Sequence, residues 1–311
     1  MRVVVTGATG CLGQVVTPLL CNDPRVQEVR ALDMRSGHYN HPKFRFFPFD
    51  MRQSVPAEAF VGADTVIHLA FAIAQGTMTP AEMRENNVGG TINVYRAAGG
   101  AGVKKVINLS SVSVYGSGEG LTEATPVAPS SRFPYAHHKV EIERRSKSEF
   151  PHMDFVHLRA TYIFGPRAAL LLRKMCTGPF YISPPPPHPR VQIVHEEDVA
   201  AAIMAALDPA VRSDVFNLAA PEVVTFPAIV KHRRRFVIGL PISLIEVIAG
   251  RPPPDGSPRL RPRDTTLDML RTTLTVSCDH AKQVLHWTPR FTPWQARECF
   301  DLPAPAPLGS V

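Results

Sequence analysis

Short apolar runs alternate with helical stretches through the first half of the chain. Five runs have the length and composition of strands, namely RVVVTG, EVRALD, KFRFFPFD, DTVIHLA and KKVINLSS, and a long helical stretch covers Pro80 to Gly99 before the last of them. Strands that are buried on both faces of a parallel sheet are continuously apolar, as VVV, VIHLA and VINL are. The pattern predicts an α/β protein with a doubly wound parallel sheet.

The second half continues this alternation less regularly. A helix is predicted over Tyr135–Lys147, then a strand in FVHLRATYIFG, a short helix over Ala168–Cys176, and an alanine-rich helix that begins at Asp198. The prolines at 184–187 cannot lie inside a helix, so we predict a stiff extended connection there.

This change of pattern predicts two unequal lobes. Residues 1–165 form the sheet domain, to which residues 191–220 return with a helix and the strand in DVFNLAA. Residues 166–190 and 221–311 form a smaller lobe of helices and proline-rich loops, with a frayed tail from 303 onward. A chain of 311 residues is long enough for this division.

Composition narrows the class of protein. Hydrophobic residues make up 44% and charged residues 20% of the chain, as in an ordinary globular protein. No apolar run reaches the ~18 residues that cross a membrane, and the first residues have the pattern of a strand rather than a cleaved leader. The five cysteines lack the spacing of a metal site or a disulfide framework. We therefore expect a cytoplasmic protein with reduced thiols, no metal and no membrane partner.

The charge of the chain favours an anionic ligand. The formal net charge is +7, which suits a dinucleotide. Basic residues are spread along the chain and crowd only at Lys231–Arg235, where we predict a solvated helix face. For this reason we expect no nucleic-acid partner.

A glycine-rich loop follows the first predicted strand and opens the first helix. In TGATGCLG, Gly7 permits a tight turn, Gly10 permits close approach of a pyrophosphate, and Gly13 permits close packing of the helix on the strand. Cys11 and Leu12 lie at the start of the helix, where the helix dipole favours a phosphate. The loop predicts a dinucleotide site of the Rossmann type.

An acidic residue ends the second predicted strand. The carboxylate of Asp33 can accept both ribose hydroxyls of the adenosine half, and its charge would repel the extra phosphate of NADP. We therefore predict NAD as the cofactor, in preference to the alternative that Asp33 only caps a turn, while Arg35 leaves some room for NADP. Asp50 ends the next strand, where it could bond the adenine amino group or could equally be a solvated turn carboxylate.

Several ordered motifs resemble those of the extended short-chain dehydrogenase/reductase family, in its NAD-dependent epimerase/dehydratase group. They cover about two-thirds of the chain and comprise TGATGCLG, VIHLA, NNVGGT, LSSVSVYG, PYAHHK, LRATYIFGPR and VHEEDVA. The resemblance implies a homodimer through two long helices, which here would span Glu82–Gly99 and Tyr135–Lys147. To the cofactor pocket it adds residues that follow the strand ends and one on a helix, namely Asp50, Met51, Leu69, Ala70, Phe71 and Asn87.

The resemblance also implies a catalytic trio of Ser111, Tyr135 and Lys139, in which Ser111 is chosen because it stands five residues before Gly116. Tyr135 and Lys139 are four residues apart on a helix, so both project from one face and can reach the same ribose and substrate. A phenol has an ordinary pKa of about 10, and a nearby ammonium and a positive nicotinamide are expected to favour the phenolate. Tyr135 would then be the acid/base of a hydride transfer, with Ser111 holding the substrate oxygen.

Four histidines lie within or beside these motifs. His137 and His138 point away from the catalytic face of their helix, and we expect surface or dimer-contact roles for them. His68 and His195 stand in recurring family motifs and are expected to be structural hydrogen-bonding groups.

Residues on the substrate side depart from the nucleotide-sugar members of the family. Tyr162 stands where those members have an asparagine, and Val191 stands where they have an arginine, with Arg190 adjacent. Tyr162 and Arg190 are our candidate substrate-binding residues. The segment at 71–74 is apolar and would suit a less charged substrate, because a buried phosphate needs specific donors. Such donors could alternatively come from Arg167, Arg173 or Arg263.

These residues predict an NAD-dependent oxidoreductase that moves a hydride between the cofactor and a secondary alcohol or ketone. The alternative is a nucleotide-sugar epimerase or dehydratase, in which NAD is reduced only transiently within one cycle. Both reactions use the same trio. A non-catalytic NAD-sensing protein is disfavoured because all three catalytic side chains are present.

Overall fold

The structure is a computed structural model that describes residues 1–53, 55–73, 78–131, 133–168, 170–250 and 267–303. Arg263, which is one of the alternative phosphate donors, lies outside the described residues. So do the predicted tail from 304 onward and the last residue of the apolar segment at 71–74.

Seven parallel strands form the central sheet. They are β1 Arg2–Thr6, β2 Glu28–Asp33, β3 Phe44–Pro48, β4 Thr65–His68, β5 Lys105–Ser111, β7 Asp154–Ala160 and β11 Asp214–Leu218. Their spatial order is β11-β7-β5-β4-β1-β2-β3, so the winding reverses between β1 and β4. A reversal of this kind opens a crevice at the carboxyl ends of the strands, where such sheets bind ligands. The predicted doubly wound parallel sheet is confirmed.

Helices cover both faces of this sheet. They are α1 Gly13–Asn22, α2 Pro80–Arg84, α3 Gly90–Gly100, α4 Pro134–Glu149 and α6 Glu196–Ala206, and α2 and α3 are joined by a π-helical turn at Glu85–Gly89. Val16 of α1 and Ile203 of α6 belong to the apolar core on one face, whereas Tyr95 of α3 and Ile142 of α4 belong to the core on the other. The predicted helix from Pro80 to Gly99 is therefore present with a local change of winding.

The predicted start of the alanine-rich helix is wrong by two residues. Helix α6 begins at Glu196, because His195 occupies the capping position and its Nδ1 accepts from the backbone N–H of Glu197 at 3.3 Å. Asp198 lies in the first turn and is fully buried, where its carboxylate accepts from the backbone N–H groups of Arg290 and Phe291 at 2.9 and 3.2 Å.

The smaller lobe packs around a third apolar core that contains Phe164, Phe226 and Phe300. Three pairs of short parallel strands lie outside the central sheet: β8 Tyr162–Phe164 with β10 Ile193–His195, β9 Phe180–Ser183 with β12 Phe236–Gly239, and β6 Gly118–Leu121 with β13 Leu274–Val276. The helices are α5 Leu170–Thr177, α7 Phe226–Lys231, α8 Ile242–Gly250, α9 Asp279–Val284 and α10 Pro293–Glu298. The boundary between the two lobes stays a prediction.

Three further expectations need correction. FVHLRATYIFG forms two strands, because the backbone N–H of Thr161 bonds to Leu218 O at 3.0 Å and β8 leaves the central sheet for β10. The connection through the prolines bends at 185–187 instead of running straight. The basic residues at 231–235 are exposed as predicted, but α7 ends at Lys231, so they form a turn rather than a helix face. Among the described residues, no helix is long and apolar enough to cross a membrane.

Candidate active site

The glycine loop has the geometry that a dinucleotide site requires. Gly7 adopts a φ of 71°, and its N–H bonds to Leu32 O at 2.9 Å, which ties the loop to β2. A Cβ atom on Gly13 would lie 2.2 Å from Gly7 O and 2.6 Å from Ala8 O. Since no side chain fits there, the loop and the start of α1 stay in close contact. Cys11 is exposed beside this turn, and Leu12 is buried in the core.

Asp33 ends β2 beside this loop and contacts it directly. One carboxylate oxygen accepts from the backbone N–H of Thr9 at 3.0 Å, and the other accepts from the backbone N–H of Arg35 at 3.1 Å. The guanidinium of Arg35 donates to Thr9 O at 3.0 Å. Neutral N–H donors therefore hold Asp33, so its carboxylate can still accept from ribose hydroxyls. This arrangement fits the adenosine half of NAD.

Asp50 has a cationic partner of its own. Its carboxylate forms a bidentate ion pair with Arg52, at 2.5 Å for the shortest contact. The side-chain hydrogen bonds from Arg52 hold the pKa of Asp50 below its ordinary value, against the effect of burial. An adenine amino group would therefore share this carboxylate with Arg52. Met51 is buried, and a Cβ atom on Gly90 would lie 2.6 Å from Met51 Cγ.

The segment after β4 lies against the glycine loop. A Cβ atom on Gly7 would lie 2.6 Å from the backbone nitrogen of Ala70, next to Leu69. Asn87 is fully buried, and its amide clamps the following backbone by accepting from Ala72 N at 2.8 Å and donating to Ala72 O at 2.9 Å. Since both ends of this amide are used, we expect Asn87 to shape the cofactor pocket by fixing the chain beside Phe71.

Two histidines lie behind this segment. His68 bridges the hydroxyls of Thr6 and Thr91 at 2.7 and 2.9 Å, and burial lowers its pKa to about 3, so it is a neutral structural group as expected. The expected surface role of His138 is wrong. It is 5% exposed and lies 3.4 Å from the Asn87 amide nitrogen, because the helical turn that carries Asn87 packs on this side of α4.

The three predicted catalytic residues lie near the carboxyl end of β5. Ser111 is the last residue of β5, and its side chain is close enough to the Tyr135 hydroxyl to lower the pKa of Tyr135. Ser111 also accepts from the hydroxyl of Ser113 at 2.9 Å. Lys139 lies one turn after Tyr135 on α4, and its Nζ donates to Leu109 O at 2.7 Å. The predicted sharing of one helix face by Tyr135 and Lys139 therefore brings both to the same strand end.

Phe71 covers Lys139. Its ring centroid lies 3.5 Å from Lys139 Nζ and 5.1 Å from the ring centroid of Tyr135. Lys139 Nζ itself lies 5.6 Å from the Tyr135 ring centroid. Burial lowers the pKa of Lys139 to about 7 and raises the pKa of Tyr135 to about 12, while the Ser111 hydrogen bond acts in the opposite direction on Tyr135. Burial therefore favours the protonated phenol, and the phenolate expected beside a positive nicotinamide stays a prediction.

A buried ion pair supports the trio from behind, and sequence reasoning missed it. Glu143 lies one turn after Lys139 and accepts from Ser110 Oγ at 2.5 Å and from Arg159 Nη2 at 2.5 Å. Burial raises the pKa of Glu143, but the bonds from Arg159 outweigh it and leave that pKa below its ordinary value. The pair thus joins α4, β5 and β7 beside the catalytic residues. The spacing of Glu143 four residues after Lys139 was the available signal.

The two candidate substrate-binding residues contact different parts of the protein. Tyr162 is half-buried and packs against Phe226, with ring centroids 5.1 Å apart. Arg190 points to the surface and pairs with Glu119 at 2.5 Å.

The two described arginines that could replace Arg190 are also engaged within the chain. The backbone N–H of Arg167 bonds to Glu196 at 3.0 Å, and its guanidinium lies 3.8 Å from the same carboxylate. Arg173 donates to Pro166 O at 2.9 Å and to Leu302 O at 3.0 Å. The Nε of Arg167 is nevertheless buried without a hydrogen-bond partner among the described residues, whereas the guanidinium of Arg173 donates to two backbone oxygens.

Comparisons with known sequences agree with this geometry. An uncharacterized protein of Mycobacterium tuberculosis (strain ATCC 25618 / H37Rv), Rv0501, is 26% identical over 254 residues, which cover 77% of this chain and 67% of the relative. The UDP-glucose 4-epimerase of Mycolicibacterium smegmatis is 31% identical over 186 residues, covering 54% of this chain and 58% of that protein. Human sterol-4-alpha-carboxylate 3-dehydrogenase, decarboxylating, is 33% identical over 175 residues, covering 53% and 45%.

Solved structures share the fold over nearly the whole chain. MoeE5 in complex with UDP-glucuronic acid and NAD superposes with a TM-score of 0.75 at 23% identity, covering 96% of this chain and 97% of that one. The family model of the NAD dependent epimerase/dehydratase family matches residues 3–219. The predicted family and its NAD dependence are thereby confirmed. The chain belongs to the NAD-dependent epimerase/dehydratase family.

Proposed function

We propose that this protein is an NAD-dependent oxidoreductase that interconverts a secondary alcohol and a ketone with net turnover of the cofactor. The observation that carries the proposal is the cluster at the end of β5, where Ser111 lies near Tyr135 and Lys139, one helical turn after Tyr135, donates to Leu109 O at 2.7 Å. Gly7, Gly10, Gly13 and Asp33 would hold the dinucleotide, with the pyrophosphate at the N-terminus of α1.

The side chains of the pocket divide the work of the reaction. Bound NADH supplies the hydride for a ketone, and bound NAD accepts it from an alcohol. In the reductive direction Tyr135 donates its phenolic proton to the carbonyl oxygen while Ser111 holds that oxygen by a hydrogen bond. Because burial raises the pKa of Tyr135 to about 12, the phenol is protonated at neutral pH and ready for this direction. In the oxidative direction Tyr135 would take the hydroxyl proton as the phenolate, which a nearby positive charge favours.

The substrate that suits this pocket carries little negative charge. A buried diphosphate needs several charged donors, yet Arg190 is paired with Glu119, and Arg167 lies against the Glu196 carboxylate. Phe71 adds an aromatic wall beside Tyr135. These contacts favour an uncharged alcohol or ketone, with Tyr162 as a further substrate contact. The human relative named above is a dehydrogenase by its name.

The second candidate function is a nucleotide-sugar epimerase or dehydratase. The names of the epimerase relative and of the structure with UDP-glucuronic acid favour it. In that reaction the same trio would oxidise the sugar and then return the hydride, so that NAD is regenerated within one cycle.

A substrate panel separates the two functions. UDP- and dTDP-sugars are tested against ketones, sterols and aromatic alcohols, with both NADH absorbance and product analysis for each compound. We expect turnover with an uncharged alcohol or ketone and accumulation of NADH in the oxidative direction. Conversion of a nucleotide sugar without NADH accumulation would contradict the proposal and establish the second candidate.

We also propose a homodimer in the cytoplasm. The helical stretches Glu82–Gly99 and Tyr135–Lys147 pack against each other, and Arg84 pairs with Glu141 at 2.5 Å between them. In the proposed dimer these stretches would pack against those of a second copy. All five cysteines are free, as suits a reducing compartment. Analytical ultracentrifugation of the purified chain tests the dimer, and a monomer at micromolar concentration would refute it.

A further inference from the structure

The smaller lobe exposes an apolar face that nothing in the described structure covers. It consists of Phe180, Phe236, Ile238, Leu244 and Val247, and Phe236 is 77% exposed. Large apolar side chains grouped on a surface in this way mark sites of contact with a protein or a membrane. We name this group the apolar face.

The strand register explains why the exposed side chains of β9 and β12 point outward together. In the two-stranded sheet of β9 and β12, Phe236 is the partner of Phe180. Side chains alternate along a strand, so Phe236 and Ile238 share one side while Val237 packs against the core of the lobe. On α8, which follows after two residues, Ile245 is buried in the same core and Leu244 and Val247 are left exposed.

A cluster of unpaired cations adjoins this face. The chain enters β12 through an exposed segment in which Lys231 ends α7 and Arg234 and Arg235 follow it. Within the described part of the chain these three residues have no carboxylate partner, whereas the neighbouring Arg233 pairs with Asp301 at 2.6 Å. We name these three residues the basic turn. Positive charge and exposed apolar side chains therefore occur together within a short stretch of sequence.

We propose that the apolar face and the basic turn dock this protein on an anionic lipid surface. Basic side chains are attracted to anionic headgroups, and aromatic and aliphatic side chains enter the boundary between headgroups and acyl chains. Such docking is peripheral and needs no membrane-spanning helix. It also differs from our expectation of no membrane partner, which rested on the lack of a long apolar run and could not register residues that fold onto one surface.

Other occupants of this surface agree less well with its charge. In a symmetric dimer through this face, the same patch of both copies meets, so unpaired cations would be brought towards one another. A nucleic acid would contact the basic turn, but the aliphatic residues Ile238, Leu244 and Val247 would stay in water. An anionic lipid surface satisfies both halves of the patch.

Flotation of the full chain with lipid vesicles tests the proposal. Vesicles of phosphatidylcholine alone are compared with vesicles of phosphatidylcholine and phosphatidylglycerol in equal parts. We expect binding to the mixed vesicles and release at high salt, because salt screens the basic turn. Phe236→Ser should weaken partitioning at least about tenfold, and Arg235→Glu should weaken it about tenfold or more.

Matched variants on the sheet domain serve as controls. Val61→Ser removes an exposed valine that is 64% exposed, and Lys104→Glu makes the same charge change on another exposed residue. Both should bind vesicles like the wild type, and all four variants should keep the thermal midpoint and the NAD affinity of the wild type.

Three results would overturn the proposal. The first is equal binding to both kinds of vesicle, or no binding to either. The second is a dimer that Phe236→Ser dissociates in analytical ultracentrifugation, which would assign the face to a second copy. The third is binding of a single-stranded oligonucleotide that Phe236→Ser and Arg235→Glu abolish while vesicles are not bound.

Discussion

The glycine loop and the catalytic pocket lie at the same edge of one sheet, but they hold their geometry by different means. In the loop, backbone atoms meet backbone atoms, and the space left beside Gly7 and Gly13 is too small for any side chain. In the pocket, side chains from distant elements enclose one another, as Phe71 does with Lys139. The loop is thus formed before the cofactor arrives, whereas the pocket must admit the nicotinamide half beside an aromatic ring.

This difference suggests that the loop binds NAD and that the pocket carries out the proton transfer. Tyr135→Phe should show the largest effect, on turnover alone. The variant keeps the ring that packs on Phe71 but lacks the hydroxyl that exchanges the substrate proton. We expect turnover to fall about 10³-fold, with NAD affinity nearly unchanged, as measured by steady-state kinetics and calorimetry.

Tyr181→Phe is the matched control, because the Tyr181 hydroxyl is buried without a hydrogen-bond partner. Its activity should equal that of the wild type. Preserved activity in Tyr135→Phe together with lost NAD affinity would remove Tyr135 from the reaction.

Gly13→Ala tests the role of the glycine loop in NAD binding. The new Cβ would lie 2.2 Å from Gly7 O, so the loop must open to accept it. Overpacking of this kind costs about 1–3 kcal/mol, and we expect NAD affinity to fall roughly tenfold to a hundredfold. Calorimetric titration with NAD measures this loss, and a thermal melt measures any loss of stability.

Gly100→Ala provides the comparison, because nothing lies within 4 Å of a Cβ at that position near the end of α3. It should bind NAD like the wild type. If Gly13→Ala also binds NAD normally, the loop is not the close-packed turn described above.

Phe71→Ala tests whether the Phe71 ring controls the pKa of Lys139. In the wild type the pKa of Lys139 is about 7 without cofactor, because burial disfavours the ammonium. If the ammonium binds the ribose hydroxyls, binding takes up a proton above that pH, so NAD affinity should fall as pH rises above about 7. Removing the ring admits water, raises the pKa of Lys139 and moves this fall to higher pH.

The measurement is NAD affinity as a function of pH for both proteins, and at alkaline pH the variant should bind about tenfold more tightly for each unit by which the pKa rises. Phe133→Ala is the control, since Phe133 stacks on Tyr135 with ring centroids 5.2 Å apart and makes no ring contact with Lys139. An identical pH dependence in Phe71→Ala and the wild type would show that Phe71 does not control Lys139.

Arg190→Ala should have the smallest effect. Arg190 is exposed and its pairing with Glu119 is a surface ion pair, worth at most about 1 kcal/mol. For an uncharged substrate we expect kcat/KM to change less than about fivefold. A loss of a hundredfold or more would indicate that Arg190 binds a charged substrate, in favour of the nucleotide-sugar alternative.

The contrast between the glycine loop and the pocket also explains which features could be predicted from the sequence. The loop, the alternation of strands and helices, and the position of Asp33 depend on rules that act over a few residues, so the sequence predicted them. The cover over Lys139 depends on Asn87, which clamps Ala72 and so fixes the chain beside Phe71. Neither this clamp nor the burial of His138 has a local pattern. The clamp joins two residues that are 15 positions apart, and the burial of His138 requires the packing of α4 against Asn87, which lies 51 positions earlier.

The ion pair of Glu143 and Arg159 was only partly predictable from the sequence. The spacing of Glu143 from Lys139 was visible, but its partner comes from β7 and is set by the sheet order. The start of α6 was misplaced for a similar reason. Asp198 looked like a helix cap, whereas the fold uses its carboxylate to hold the backbone of Arg290 and Phe291.

We propose that the pocket of Ser111, Tyr135 and Lys139 oxidises an alcohol with net formation of NADH. The most direct test is the amount of NADH formed per enzyme subunit from the best alcohol of the substrate panel, with excess NAD and a ketone trap that removes the product. We expect the wild type to form many equivalents of NADH per subunit, and Tyr135→Phe to form no NADH above background. NADH that stops at or below one equivalent per subunit while product continues to form would contradict it.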